Sequence, residues 1–404
     1  MSYLAVKKIS FISLTSLFLL GSISGCDRNT RTNVLSKNVS QDCVSNYDRD
    51  VDYFPKKVKL NYAKGFTVEY RKHYKIVTVK NPWKNADRSF QYILVKCGTP
   101  IPKGYDKAEI VRVPVRTMVA MSTTYLPYLP DLDLVDNLVG VSSFKNVNTP
   151  EVKKKITEGN LKQLGSNSEI NIEQILELNP DLIMTFGTGN LELDRHSQLL
   201  EAGLFVAINS EYMENEPLGR TEWLKFIAVF FDREDRAEKL FSKIASKYEK
   251  IAALTENIAN KPTVFTGFSY KGTWYVPGGK SYLAAYLEDA GADYIWSEID
   301  SRGSLPKDFE SVFNKGNDAE YWLNGSRNWQ NLQDILNTDD RYQNFNAFKN
   351  GKVYNNNARL NETGGNDYWE SGIANPDLVL ADLIKIFHPE LLPEHELVYY
   401  QQLE

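Results

Sequence analysis

Between Ala237 and Ala252, apolar side chains recur at every third or fourth position: Ala237, Leu240, Phe241, Ile244, Ala245, Tyr248, Ile251 and Ala252. That spacing gathers them into one stripe, the signature of an amphipathic helix roughly 30 Å long. The helix is expected within residues 233–260, because Pro262 cannot donate the next helical hydrogen bond. On both sides of this rod, short apolar runs alternate with amphipathic ones. Upstream, strands are predicted over residues 117–121, 139–141, 182–185 and 205–208, with helices over 171–178 and 196–202. Downstream, strands over 263–267, 321–323 and 352–354 alternate with helices over 281–290 and 377–387. Such alternation implies parallel strands paired through crossovers. The expected fold class is α/β: two Rossmann-like lobes, residues 112–232 and 261–404, joined by one long rigid helix.

The two halves share a short repeat. Asn171-Ile172-Glu173-Gln174-Ile175-Leu176 matches Asp308-Phe309-Glu310-Ser311-Val312-Phe313 by residue type at every position. Each copy opens with a residue able to cap a helix. Each then leads into a strand, at 181–184 and at 320–323. The shared helix-to-strand context points to related lobes.

Ahead of the first lobe the pattern differs. Lys7 and Lys8 precede an apolar run at 9–20, small residues at 21–25, and Cys26. The run is too short to span a bilayer and has the layout of a secretory signal, so 1–25 is assigned to a signal peptide. Residues 26–58 are polar and irregular, as in a flexible tether. Residues 59–111 carry period-2 alternation, with strands near 66–70, 75–79, 91–96 and 110–113, which predicts a β-rich appendage. In an exported chain Cys43 and Cys97 suggest one disulfide, with two buried free thiols as the alternative.

Charge and motifs narrow the function. With 47 basic against 52 acidic side chains the chain lacks the basic surplus of a nucleic-acid binder. HExxH, GxSxG, P-loop and CxxC patterns are all missing, and the four histidines are scattered, so neither an enzyme nor a bare metal-ion site is expected. Gly278-Gly279-Lys280-Ser281 reads as a turn capping the next helix. Five of the seven tryptophans follow residue 270, several in polar loops around Tyr270, Trp274, Trp329 and Trp369. Aromatics in such settings commonly line a ligand surface. Lys280, Arg327 and Arg359 nearby suit anionic groups of a ligand.

The stretch from Asn171 to Met184, with Val139-Gly140-Val141 and Gly165 upstream and Ala374-Asn375-Pro376-Asp377-Leu378 near the end, resembles the substrate-binding proteins of iron-siderophore, haem and vitamin B12 importers. The resemblance covers roughly residues 112–390. It implies a ligand cleft between the lobes, with Ser122, Thr123, Tyr125, Lys145 and Gly165 on one wall and Tyr270, Trp274, Lys280, Arg327, Trp329, Arg359 and Trp369 on the other. It implies docking of Glu173 and Glu310 onto the permease subunits of an ABC importer. Ile23-Ser24-Gly25-Cys26 is similar to a lipobox, which implies lipidation of Cys26; an incidental thiol beside an ordinary cleavage site is the alternative.

Together these imply a monomeric receptor outside the cytoplasm, in the periplasm or at the cell surface, tethered by lipid alone. It needs no cofactor, and its ligand is an iron or cobalt complex. An iron(III)-siderophore leads because of the three cations; a corrinoid or haem follows. An exported enzyme and a surface scaffold lipoprotein are the competing classes. The picture is of two halves held apart by a stiff rod, with a gap for a bulky guest.

Overall fold

The computed structural model describes residues 43–106, 108–166, 169–190 and 194–404; the signal-like segment and Cys26 lie outside the described residues. No helix among the described residues is long and apolar enough to cross a membrane.

The appendage is a four-stranded sheet. β1 (Phe66–Tyr70), β2 (Tyr74–Val79) and β3 (Phe90–Lys96) are antiparallel neighbours, and β4 (Glu109–Val113) runs parallel to β3. Val68, Val77, Tyr92 and Glu109 stand in register. Phe66, Val77, Val79, Tyr92 and Leu94 face the first lobe, while Ile76, Ile93 and Val95 pack beneath Tyr74, Tyr105 and Ile110. Cover on both faces explains the unbroken apolar run Tyr92–Val95. Cys97, just past β3, is bonded to Cys43, with Cα atoms 4.9 Å apart.

Buried carboxylates fasten this sheet to the lobe. Glu222 accepts hydrogen bonds from the backbone N–H groups of Asn61, Tyr62 and Ala63. Glu214 accepts from those of Lys64 and Gly65 and from the Trp223 indole. Lys75, fully buried, donates to Asp232, Glu234 and the Val229 carbonyl at 2.6–2.7 Å.

The first lobe is a parallel sheet of β5 (Met118–Ala120), β6 (Leu138–Val141), β7 (Lys162–Gln163), β8 (Leu182–Thr185) and β9 (Val206–Ile208), in the order β7-β6-β5-β8-β9. Alternate residues serve opposite faces: Met118 and Ala120 join one core, Val119 and Met121 the other. The second lobe contains β10 (Thr263–Thr266), β11 (Ser269–Tyr270), β12 (Thr273–Pro277), β13 (Asp293–Tyr294), β14 (Ser304–Lys307), β15 (Tyr321–Leu323), β16 (Val353–Asn355) and β17 (Gln401–Gln402). Its main sheet runs β13-β10-β15-β16-β17 and is parallel except for β17; β11, β12 and β14 form a small antiparallel sheet. Phe265, Trp322 and Val353 are in register. The chain is thus a two-lobed α/β protein.

Two departures from the sequence reading stand out. The long helix is Glu234–Ala252 and stops well short of residue 260. There Thr255 Oγ1 lies 2.9 Å from the Ala252 carbonyl and 2.5 Å from that of Asp289, diverting the chain from the helical ladder. The lobes are also not held apart everywhere. The long helix and the closing helix Pro376–Phe387 pack together, and one apolar core continues from the appendage through both lobes along that side.

Candidate functional site

In each main sheet the first strand (β5, β10) has successors on both sides, which places a topological switch point beside it. In open parallel sheets a ligand sits outside the carboxyl ends of the strands at such a point. Here those ends carry Met121–Thr124 after β5, Phe186–Thr188 after β8, Gly267–Tyr270 after β10 and Asn324–Arg327 after β15.

The two sets of ends face one another, because flanking loops meet on either side. After β6, the Lys145 carbonyl accepts from Asn361 Nδ2 (3.1 Å) and Thr363 Oγ1 (2.6 Å), which follow β16. On the opposite flank, Met213–Glu216 after β9 line one small recess with Arg302 from between β13 and β14. At the base, Tyr128 Oη and Thr221 Oγ1 both donate to the Ile373 carbonyl, at 3.2 and 2.9 Å. Arg220, buried, pairs with Glu211 and lies 5.0 Å from the Tyr282 ring centroid.

Glu370 closes the lobe contact. Its carboxyl group accepts from the backbone N–H groups of Asn148 (2.8 Å) and Thr149 (2.6 Å) and from Thr149 Oγ1 (2.5 Å). Burial pushes its pKa up to about 7; the bonds from Thr149 and Asn148 oppose that shift and the Asp367 charge adds to it.

The residues singled out from sequence fare unequally. Ser122 caps a short helical turn through Thr124, and Thr123 is half-buried beside it at the carboxyl end of β5. Gly165 has φ of +86°, and a Cβ there would stand 2.3 Å from the Glu169 carbonyl oxygen, so it serves the turn into the following helix. Lys145 and Arg327 are exposed cations with no carboxylate within ion-pair distance among the described residues. Tyr270 and Trp369 are 58% and 46% exposed. Lys280 pairs with Asp300 at 2.8 Å and Arg359 with Asp367 at 2.8 Å, so both charges are already answered.

Three aromatic assignments are corrected. Tyr125, Trp274 and Trp329 are buried, at 1%, 0% and 2% exposure. Trp274 donates to the Thr266 carbonyl and Trp329 to Thr338 Oγ1, and both pack on Trp322 and Tyr342. Their polar neighbours mark tight connections around a core, stapled at Ser326 and Trp329 by the buried Asn355 and Asn357 amides. Both indoles are core residues of the second lobe. What sequence reasoning missed is Tyr212, whose hydroxyl donates to the Gly187 carbonyl, together with Arg302, Glu370 and the appendage loop carrying Trp83 and Lys84. An aromatic and a cation together in a polar loop were legible at 83–84, but nothing local placed that loop at the lobes. Among the described residues no three of His, Cys, Asp and Glu stand close enough to hold a metal ion.

Residues 118–360, more than half of the chain, match the periplasmic binding protein family model, and the chain belongs to that family. It is 27% identical to an uncharacterized lipoprotein of Methanocaldococcus jannaschii across 95% of this chain and 94% of that one. A second uncharacterized lipoprotein of that organism is 26% identical across 78% of this chain and 80% of its own. Among solved structures, a possible iron-binding periplasmic solute-binding protein from Staphylococcus epidermidis superposes with a TM-score of 0.53 at 19% identity, over 68% of this chain and 98% of its own. A periplasmic haem-binding protein from Pseudomonas aeruginosa does so with a TM-score of 0.53 at 18% identity, over 72% and 98%. These solved structures share its fold. The class is that of periplasmic binding proteins.

Proposed function

We propose that this chain is a lipid-anchored receptor outside the cytoplasm that binds an iron(III)-siderophore-type chelate and delivers it to an ABC importer. The observation that carries this reading is the facing of two sets of strand carboxyl ends, whose following connections carry Lys145, Arg302 and Arg327 without ion-pair partners and the exposed rings of Tyr212, Tyr270 and Trp369. Cations suit the oxygen donors of an anionic chelate, and flat rings give contact area at little entropic cost. The solved structure described as a possible iron-binding protein, which has the same fold, and the lipoprotein relatives support the ligand class and the anchor. Cys26 is the proposed lipidation site. Glu173 and Glu310, exposed in the first turns of the helices Ile172–Leu178 and Phe309–Gly316, are the proposed contacts to the two permease subunits.

Haem is the second reading, favoured by the solved haem-binding protein that shares the fold. Titration of intrinsic tryptophan fluorescence with a ferric tris-catecholate complex, a ferric tris-hydroxamate complex, haemin and cyanocobalamin separates the readings. Saturable quenching by a ferric chelate at lower concentration than by haemin or cyanocobalamin is expected. Preference for haemin transfers the assignment to haem, and no saturable response to any of the four ends the receptor reading.

A further inference from the structure

The loop joining β2 and β3 lies outside the family-matched region, yet it reaches the proposed ligand site. Its Pro82 carbonyl accepts a hydrogen bond from Ser210 Oγ at 2.9 Å, just past β9. The Trp83 ring lies flush on the connection after β8: Cβ atoms on Gly187 and Gly189 would stand 2.5 and 2.7 Å from indole carbons, so only glycine admits this approach. Phe90 and His196 hold the indole in place, each with its ring centroid 5.9 Å away. The tip is therefore seated on the carboxyl ends of β8 and β9.

Lys84 then turns towards the second lobe. Its Nζ lies 3.4 Å from where a Cβ on Gly303 would stand, in the connection between β13 and β14. Arg302, the preceding residue of that connection, is exposed. Among the described residues neither Lys84 nor Arg302 has a carboxylate within ion-pair distance. Arg302 shares its recess with the Glu214 and Glu216 carboxylates, neither within ion-pair distance of it, so an anion reaching both Lys84 and Arg302 would be drawn to each.

We infer that the Pro82–Lys84 tip forms a third wall of the ligand site, and that Lys84 and Arg302 together grip anionic groups of the bound chelate. This rests on the receptor reading above. It makes the appendage a determinant of ligand charge, and Trp83 a positioning residue that seats the tip.

The test uses the mature chain and its Lys84→Ala, Lys84→Arg and Arg302→Ala variants, titrated with a triply anionic ferric tris-catecholate complex and a neutral ferric tris-hydroxamate complex. Lys84 is exposed, so an unchanged thermal midpoint is expected and is checked first. Lys84→Ala and Arg302→Ala are each expected to weaken the anionic complex about fivefold, the worth of one partly solvated charge contact. Binding of the neutral complex should stay within about twofold, and Lys84→Arg should retain wild-type affinity. Unchanged affinity for both complexes in Lys84→Ala overturns the inference, as does an equal loss for both or a wild type that binds only the neutral complex. In those outcomes the receptor reading survives. A wild type that binds neither complex, nor haemin, nor cyanocobalamin overturns both.

Discussion

Glu370 shows how much one residue at the lobe contact carries. Three donors from Asn148 and Thr149 converge on it, yet burial holds its pKa near 7 against an ordinary value of 4.5. The folded state therefore binds this proton more tightly than the unfolded chain does. Its stabilising contribution is complete below about pH 4.5 and is lost as pH rises through about 7. Thermal midpoints at pH 5 and pH 8 should differ more for wild type than for Glu370→Gln, which has no proton to lose there; equal differences would contradict this linkage. The tryptophans teach a related lesson. Trp274 and Val276 share the inward face of β12 while Tyr275 points out at 53% exposure, the ordinary alternation of a strand. Polar neighbours around Trp274 suggested a ligand surface, but strand parity is what decided its side.

At the scale of elements, the appendage sheet depends on a buried charge cluster. Lys75 is fully buried, 2.7 Å from both Asp232 and Glu234, with Lys96 2.9 Å from Asp232. Lysine charge holds the Asp232 pKa below its usual value despite burial, whereas burial prevails at Glu234 and raises it. Lys75→Met should cost about 3–5 kcal/mol in urea denaturation, because it leaves the buried Glu234 carboxylate without its cation while Asp232 keeps Lys96. A loss below about 1 kcal/mol would mean that water reaches Glu234. The helix starts were more legible. Asn171 accepts from the Gln174 amide at 3.0 Å and Asp308 from that of Ser311 at 2.6 Å, so both copies of the repeat are capped in the same way. Caps are local, set by residues three apart, and need no knowledge of the rest of the chain.

For the whole molecule, the two capped helices present Glu173 and Glu310 to solvent, one on each lobe. Glu173 has no ion pair among the described residues, and Glu310 has only a 3.7 Å approach from exposed Arg341, a contact too wet to hold it. Reversing both charges, Glu173→Arg with Glu310→Arg, should abolish cellular uptake of the ferric chelate while the purified protein keeps its affinity. Normal uptake by the double variant would reject the docking assignment. The shared core along the long and closing helices couples the lobes on that side, which favours binding with small lobe movements.

The sequence alone determined the two-lobe α/β plan and the helix caps, because periodicity and capping are written in residues close together along the chain; the stretch at 269–277, read as polar loop, is instead strands β11 and β12. Only the tertiary structure decided which aromatics are buried, that the lobes share a core, and that Lys84 stands beside Gly303. Those facts depend on contacts between segments far apart in sequence, such as 83 with 187 and 149 with 370, for which no local pattern exists.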